Sequence, residues 1–202
     1  MLVLASASPR RKELLSLLVK EFEVLPADID ETPMYQENAE DYVVRMAIEK
    51  ASAAALKYRQ QADFDMSATF IASDTSVVID GRILGKPASL EDSLSMLRLL
   101  SGRSHKVITS LCFSNLQHEH IATKLVVSDV LFRKISNVEI EQYWKTGEPQ
   151  DKAGSYAVQG LGAIFVRSIS GSYSAVVGLP LYETAQLLAQ FGIHSLEEMS
   201  HE

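Results

Sequence analysis

Cys112 is the only cysteine among 202 residues, so neither an internal disulfide nor a cysteine-ligated zinc site is expected. Set in an apparent strand, this lone thiol reads as core filling. Long apolar runs are missing too: nothing approaches the ~20 residues of a membrane span, and the short apolar start Leu2 to Ala7 lacks the basic lead-in of a secretory signal. A cytoplasmic protein without membrane contact is therefore expected. Nor is there an excess of basic residues. The net charge of -7 argues against a broad nucleic-acid or membrane surface, while leaving room for a local basic pocket that would draw a small anion. No repeat or low-complexity linker divides the chain, whose length suits one large or two-lobed domain with a real core.

What is present concentrates first in Leu2 to Leu15. Leu2 to Leu4 read as a short buried strand, Ala5 to Ser8 are small, and Pro9 has the backbone angle of a first helical position, with Ser8 as its N-cap. Arg10 and Arg11 then fall in the first helical turn, where the positive end of the macrodipole disfavours them. Backbone amides at the helix start, the Ser6 and Ser8 hydroxyls and two guanidiniums together describe a polyphosphate cradle without a glycine loop. A surface helix with solvated arginines fits this segment equally well.

The first helix is expected from Pro9 to about Val19, burying Leu14, Leu15 and Leu18, and a strand from Phe22 to Leu25. In the acidic loop Asp28 to Pro33, solvated carboxylates are the default, and Glu31 gains a role in holding a divalent cation only if the fold brings it beside the arginines. A helix from about Asn38 past Ala55 carries Val43, Ala47, Lys50 and Ala54 on one stripe. Lys50 there either snorkels to water or offers a point charge to a phosphate.

Between the apolar runs Thr69 to Ala72 and Val77 to Ile79 stands Ser73-Asp74-Thr75. A carboxylate so placed is buried or half-buried and needs a partner, which makes Asp74 the leading general base or metal ligand; the alternative is a turn aspartate bonded to nearby amides. Asp80-Gly81 signals a hairpin that returns Lys86 toward the strand end carrying Asp74. Ser89 caps a helix presenting Leu94, Leu97 and Leu100 inward and ending at Gly102. His105 to Ser114 and Ile121 to Arg133 read as a long hairpin with His118 and His120 exposed at its tip. Ser136 and Glu139 form a capping box for a helix that Gly147 closes.

The glycine-rich Asp151 to Gly162 leads into a predicted strand, Ala163 to Arg167, which excludes a dinucleotide fingerprint, since that motif opens a helix. Gln159 offers an amide able to read the edge of a base, or is a surface strand residue. Another hairpin is expected at Ser170-Gly171, a last helix over Leu181 to Phe191, and a loose acidic tail from Ser195. The order β α β α β β α β β α β β α predicts a mixed α/β fold, a twisted sheet with flanking helices and a smaller antiparallel lobe.

Leu4-Ala-Ser-Ala-Ser-Pro-Arg-Arg11, Asp30-Glu31, Glu49-Lys-Ala51, Ser73-Asp-Thr75, Gly85-Lys-Pro87 and Asp151-Lys-Ala-Gly154 with Gln159-Gly160 stand in an order and spacing that resembles the Maf family of nucleoside triphosphate pyrophosphatases. The resemblance runs from Leu2 to about Gly192. It implies a single two-lobed catalytic domain over 1–194, tail 195–202, related in fold to the inosine triphosphate pyrophosphatases, with the nucleotide in a cleft. It further implies metal-dependent hydrolysis, with Mg2+ or Mn2+, between the α and β phosphates, and a homodimer. By position, Ser6, Arg11, Lys50 and Lys86 would contact phosphate, Glu31 and Asp74 the metal, and Asp74 would activate water. Arg10, Thr75 and Gln159 resemble the branch that prefers dTTP, UTP and modified pyrimidine triphosphates, not the one handling 7-methyl-GTP. Ser73 stands where many members have Ala, a change expected to be silent. The alternative function is a nucleotide-binding regulator of septum formation that does not need turnover.

Overall fold

The computed structural model describes residues 1–115 and 120–200, without the side chains of 120, 121 and 198. In chain order the elements are β1 (Leu2–Leu4), α1 (Pro9–Leu15), β2 (Glu23–Val24), α2 (Ala39–Tyr58), β3 (Thr69–Ile79), β4 (Arg82–Leu84), α3 (Leu90–Leu100), β5 (Ser104–Asn115), β6 (His120–Phe132), α4 (Asn137–Lys145), β7 (Val166–Ser170), α5 (Tyr173–Val177), α6 (Leu181–Gln190) and α7 (Ser195–Ser200), with short 3-10 turns between α4 and β7. The sheet has the order β2-β1-β3-β5-β6-β7, and β4 pairs with β3 off that path. Parallel pairing of β1 with β2 and β3, and antiparallel pairing of β3 with β4 and of β6 with β7, make it a mixed sheet. The expected mixed α/β class is the observed one. No described helix is long and apolar enough to cross a membrane.

Contacts divide the chain into two compact units, and it passes from one to the other within β3, β5 and β6 and between Val177 and Gly178. The first unit contains Met1–Asp74, Thr109–Leu125 and the chain from Gly178 onward. Its core sets Val3 and Ala5 beside Phe70 and Ala72 of β3, Cys112 of β5, and the alanines 47, 51, 54 and 55 of α2. Small side chains on that helix stripe allow close packing over the strands, where larger ones would overpack. Tyr58 closes the cluster edge-on to Phe70 at 5.5 Å. The lone thiol Cys112 is buried here, and burial pushes its pKa up to about 12, so it is packing and not a nucleophile.

The second unit contains Thr75–Ile108 and Val126–Val177. Its core joins Val77, Ile79, Leu97, Leu100, Phe132, Tyr143, Tyr156 and Phe165. The hairpin at Asp80-Gly81 is as expected: both residues have positive φ, 51° and 73°, the signature of a turn whose twist matches its strands. The Ser89 cap and the Ser136–Glu139 capping box are both formed.

Several boundaries differ from expectation. Helix α1 stops at Leu15, not Val19, because i→i+3 bonds at Leu17 and Leu18 tighten the chain into a turn, so Leu18 is only half-buried while Val19 is buried. Ser8 holds the N-cap position without a side-chain cap bond. Ser73-Asp74-Thr75 does not interrupt a strand: β3 runs unbroken through it, which removes the reading of Asp74 as a turn residue. The strand expected over 163–167 begins at Val166, since 161–165 form a 3-10 turn. Ser170-Gly171 leads into α5, not a returning strand, because the Ser172 hydroxyl accepts the Ala175 amide at 3.2 Å and starts a helix. Residues 195–200 form α7 where a loose tail was expected. The tip histidines, His118 and His120, fall outside the described residues and side chains.

Candidate active site

Two parallel strands place the first unit's polar groups. Val3 and Leu4 pair with Phe70 and Ile71, and the Ala5 amide continues the ladder to the Ile71 carbonyl at 2.8 Å. The chain leaves β1 at its carboxyl end, the side of a parallel sheet where ligands bind, and there it supplies Ser6, Arg10 and Arg11. The buried Ser6 Oγ accepts from the Ser8 amide at 3.2 Å and from Arg11 Nη1 at 3.3 Å. Arg11 Nε donates to the Gly178 carbonyl at 3.0 Å. The guanidinium is thus held at two points. Burial lowers the Arg11 pKa, Asp74 opposes that shift, and the neighbouring Arg10 adds to it.

The second cluster joins α2, β3 and the acidic loop. Lys50 does not snorkel into water: its side chain is 11% exposed, and Nζ lies 2.7 Å from Asp74 Oδ1 and 2.7 Å from Glu31 Oε1. Asp74 is 8% exposed and so needs that cationic partner. Glu31 is half-exposed, and its backbone carbonyl accepts from Tyr42 Oη at 2.8 Å. Burial, reinforced by Asp74 and Glu31, pushes the Tyr42 hydroxyl up to about 12, so it remains a donor at all ordinary pH. Further along the loop, Arg45 bonds both oxygens of Glu37 at 2.7 Å and the Thr32 carbonyl at 3.1 Å. That bond to Arg45 is the chief cause holding the Glu37 carboxyl down at about 2. The acidic loop is therefore pinned by α2 on both sides of Thr32.

Ser6 and Arg11 come together, as do Glu31, Lys50 and Asp74. Lys86, Thr75 and Gln159 belong to the second unit. Lys86 is exposed two residues beyond β4, and the Gly85 carbonyl accepts the Gly154 amide at 3.0 Å, fastening the glycine-rich segment beside it. Thr75 is half-buried in β3, and Gln159 is exposed on a turn, not in a strand.

Sequence reasoning missed Tyr42, the anchoring carbonyl of Gly178, and the part played by Ser73. The buried Ser73 Oγ donates to that same Gly178 carbonyl at 2.8 Å. A signal for Tyr42 existed, since Tyr42, Met46 and Lys50 repeat every four residues along α2. Nothing local pointed to Gly178, more than a hundred positions from Ser73.

No group of three or more histidine, cysteine, aspartate or glutamate side chains forms a metal cage among the described residues. Glu31 and Asp74, the two carboxylates that meet at the Lys50 ammonium, are the hard oxygen donors here that could hold a Mg2+-type ion.

Residues 1–191 match the family described as Maf-like protein. The chain belongs to the Maf family. The dTTP/UTP pyrophosphatase of Vibrio parahaemolyticus is 49% identical over 190 residues, covering 94% of this chain and 96% of that protein. The dTTP/UTP pyrophosphatase of Colwellia psychrerythraea is 50% identical over 191 residues, 95% of this chain and 88% of its own. Among solved structures, the Ham1 protein of Staphylococcus aureus matches with a TM-score of 0.41 at 20% identity, over 67% of this chain and 72% of that one.

Proposed function

We infer that this Maf protein is a nucleoside triphosphate pyrophosphatase that hydrolyses dTTP and UTP to the monophosphate and pyrophosphate. Relatives at about half identity carry that name, and the observation that best supports a hydrolytic role is the buried Asp74 joined to Lys50 and, through it, to Glu31. Breaking a phosphoanhydride requires compensating the charge on the phosphates and aligning a water. Arg11, steadied by Ser6 and Gly178, and Lys50 supply cationic groups. Lys86 is the phosphate contact of the second unit.

Asp74 accepts a proton from the attacking water as its oxygen bonds to phosphorus; the bond between the α and β phosphates breaks and pyrophosphate leaves with the electron pair. No nucleophilic side chain is needed. Glu31 and Asp74 would hold Mg2+ or Mn2+, which when bound supplies charge compensation at the phosphate oxygens. Arg10, Thr75 and Gln159 select the pyrimidine base. Free cytoplasmic triphosphates are the substrates, and the working species is a homodimer.

The test is a panel of purified purine and pyrimidine triphosphates with Mg2+ or Mn2+, measuring monophosphate and pyrophosphate for each. Preferential release from dTTP and UTP is expected. Equal release from purines overturns the base assignment, and a trapped phosphoryl or nucleotidyl enzyme overturns direct attack by water.

A further inference from the structure

The turn that carries Gln159 is exposed, yet its backbone is fastened on both sides by one pair of side chains, Tyr143 and Glu148. On the N-terminal side, the Ala157 amide donates to Tyr143 Oη at 3.1 Å. On the C-terminal side, the Leu161 amide donates to Glu148 Oε2 at 2.8 Å and the Gly162 amide to Glu148 Oε1 at 2.9 Å. Tyr143 Oη joins the two halves by donating to Glu148 Oε1 at 2.7 Å. Three backbone amides around Gln159 are thus tied to one hydroxyl and one carboxylate.

The pair itself is well founded. Tyr143 projects from α4 into the second core, 4% exposed and edge-on to Phe165 at 5.1 Å, and Glu148 follows Gly147, whose φ of 79° turns the chain out of α4. Burial alone would raise the Glu148 pKa, but bonds from Gly162, Tyr143 and Leu161 outweigh it and the net shift is downward. The glycines of this segment are required by the pair. A Cβ at Gly160 would collide with the Glu148 carboxylate, and one at Gly162 would stand 2.6 Å from Tyr143 Oη and 2.7 Å from the Ala157 carbonyl. The arrangement fixes the backbone on either side of Gln159, whose own side chain is exposed.

We propose that Tyr143 and Glu148 are positioning residues for base selection, holding the turn 157–162 so that Gln159 presents its amide in one orientation. The proposal rests on the reading of Gln159 as a base selector. Removing one charge-assisted bond leaves the chain folded but lets the turn fluctuate, so discrimination falls before hydrolysis does.

The experiment measures kcat/KM for dTTP and for dGTP with Mg2+ in the wild type, Glu148→Gln, Tyr143→Phe, Gln159→Ala and the double variant Glu148→Gln/Gln159→Ala, with thermal melting of each. Gln keeps the shape of Glu148 while losing an acceptor, and Phe keeps the ring against Phe165. Either single change is expected to lower the pyrimidine-to-purine ratio about tenfold, through KM for dTTP with kcat held within about twofold. In the Gln159→Ala background Glu148→Gln should then add nothing, because the residue it positions is gone. A ratio changed by Gln159→Ala but untouched by Glu148→Gln and Tyr143→Phe overturns the positioning role alone. A ratio unchanged by Gln159→Ala overturns the base-selector reading, and the positioning role with it. Should one variant melt far below the wild type, the other supplies the comparison.

Discussion

Lys50 Nζ sits 2.7 Å from Asp74 Oδ1, with both side chains about nine-tenths removed from solvent. The lysine lies on a helix and the aspartate in a strand, so the pair is set by the packing of α2 over β3 and not by local chain geometry.

Because Asp74 is buried against that ammonium, Lys50→Met leaves an uncompensated carboxylate and should lower stability by about 3 kcal/mol, besides weakening triphosphate binding. Adding Asp74→Asn to Lys50→Met should restore part of that stability. Urea denaturation of the two single variants and the double variant checks this, and additive losses would show that the pair is not coupled.

Asp74→Asn by itself keeps the shape of the side chain but removes the proton acceptor. Turnover should fall by about 10³-fold or more while nucleotide binding is retained. Steady-state hydrolysis and equilibrium titration with dTTP separate the two. Turnover at the wild-type rate would overturn the assignment of Asp74 as the base.

Arg11 uses Nε for the Gly178 carbonyl and Nη1 for Ser6 Oγ. Lysine has no fork to do both, so Arg11→Lys should raise KM for the triphosphate about tenfold or more with a smaller effect on folding. Initial-rate kinetics over a wide dTTP range reads this directly.

Ser73, expected from sequence to be a silent departure, donates at 2.8 Å to the carbonyl that also anchors Arg11. Ser73→Ala should therefore cost about 1 kcal/mol of stability. The loss would be seen as a lower melting temperature; an unchanged one would restore the silent reading.

The buried His105, bonded to Tyr156 Oη at 2.8 Å, has its pKa lowered by burial from 6.5 to about 4. The unfolded chain takes up this proton first, so the contribution of neutral His105 is complete above 6.5 and is lost as pH falls from 6.5 toward 4. Between pH 7 and pH 5 this amounts to about 1–2 kcal/mol. His105→Gln should flatten that part of the stability profile in urea titrations at the two values.

Much of the fold was legible because its signals are local. The Asp80-Gly81 turn, the Ser89 cap and the Ser136–Glu139 box each depend on residues within four positions of one another. Errors arose where a side chain distant in sequence overrode local pattern. The apolar 163–165 segment coils because Glu148 holds the amides of Leu161 and Gly162, and β7 therefore starts late.

By itself the sequence determined the mixed α/β class, the family motifs and the residue types of the chemistry: arginines after a short strand, an aspartate between apolar runs, a lysine on an apolar helix stripe. Tertiary structure alone decided what those groups do to one another. It turned Lys50 from a residue with two readings into the ammonium shared by Asp74 and Glu31, gave Ser73 and Arg11 a common anchor in Gly178, and fastened the Gln159 turn to Tyr143 and Glu148. The reason is physical: local preferences act over a turn or two of chain, whereas a buried charge or an unpaired carbonyl is satisfied by whichever donor the packed core brings within hydrogen-bond distance.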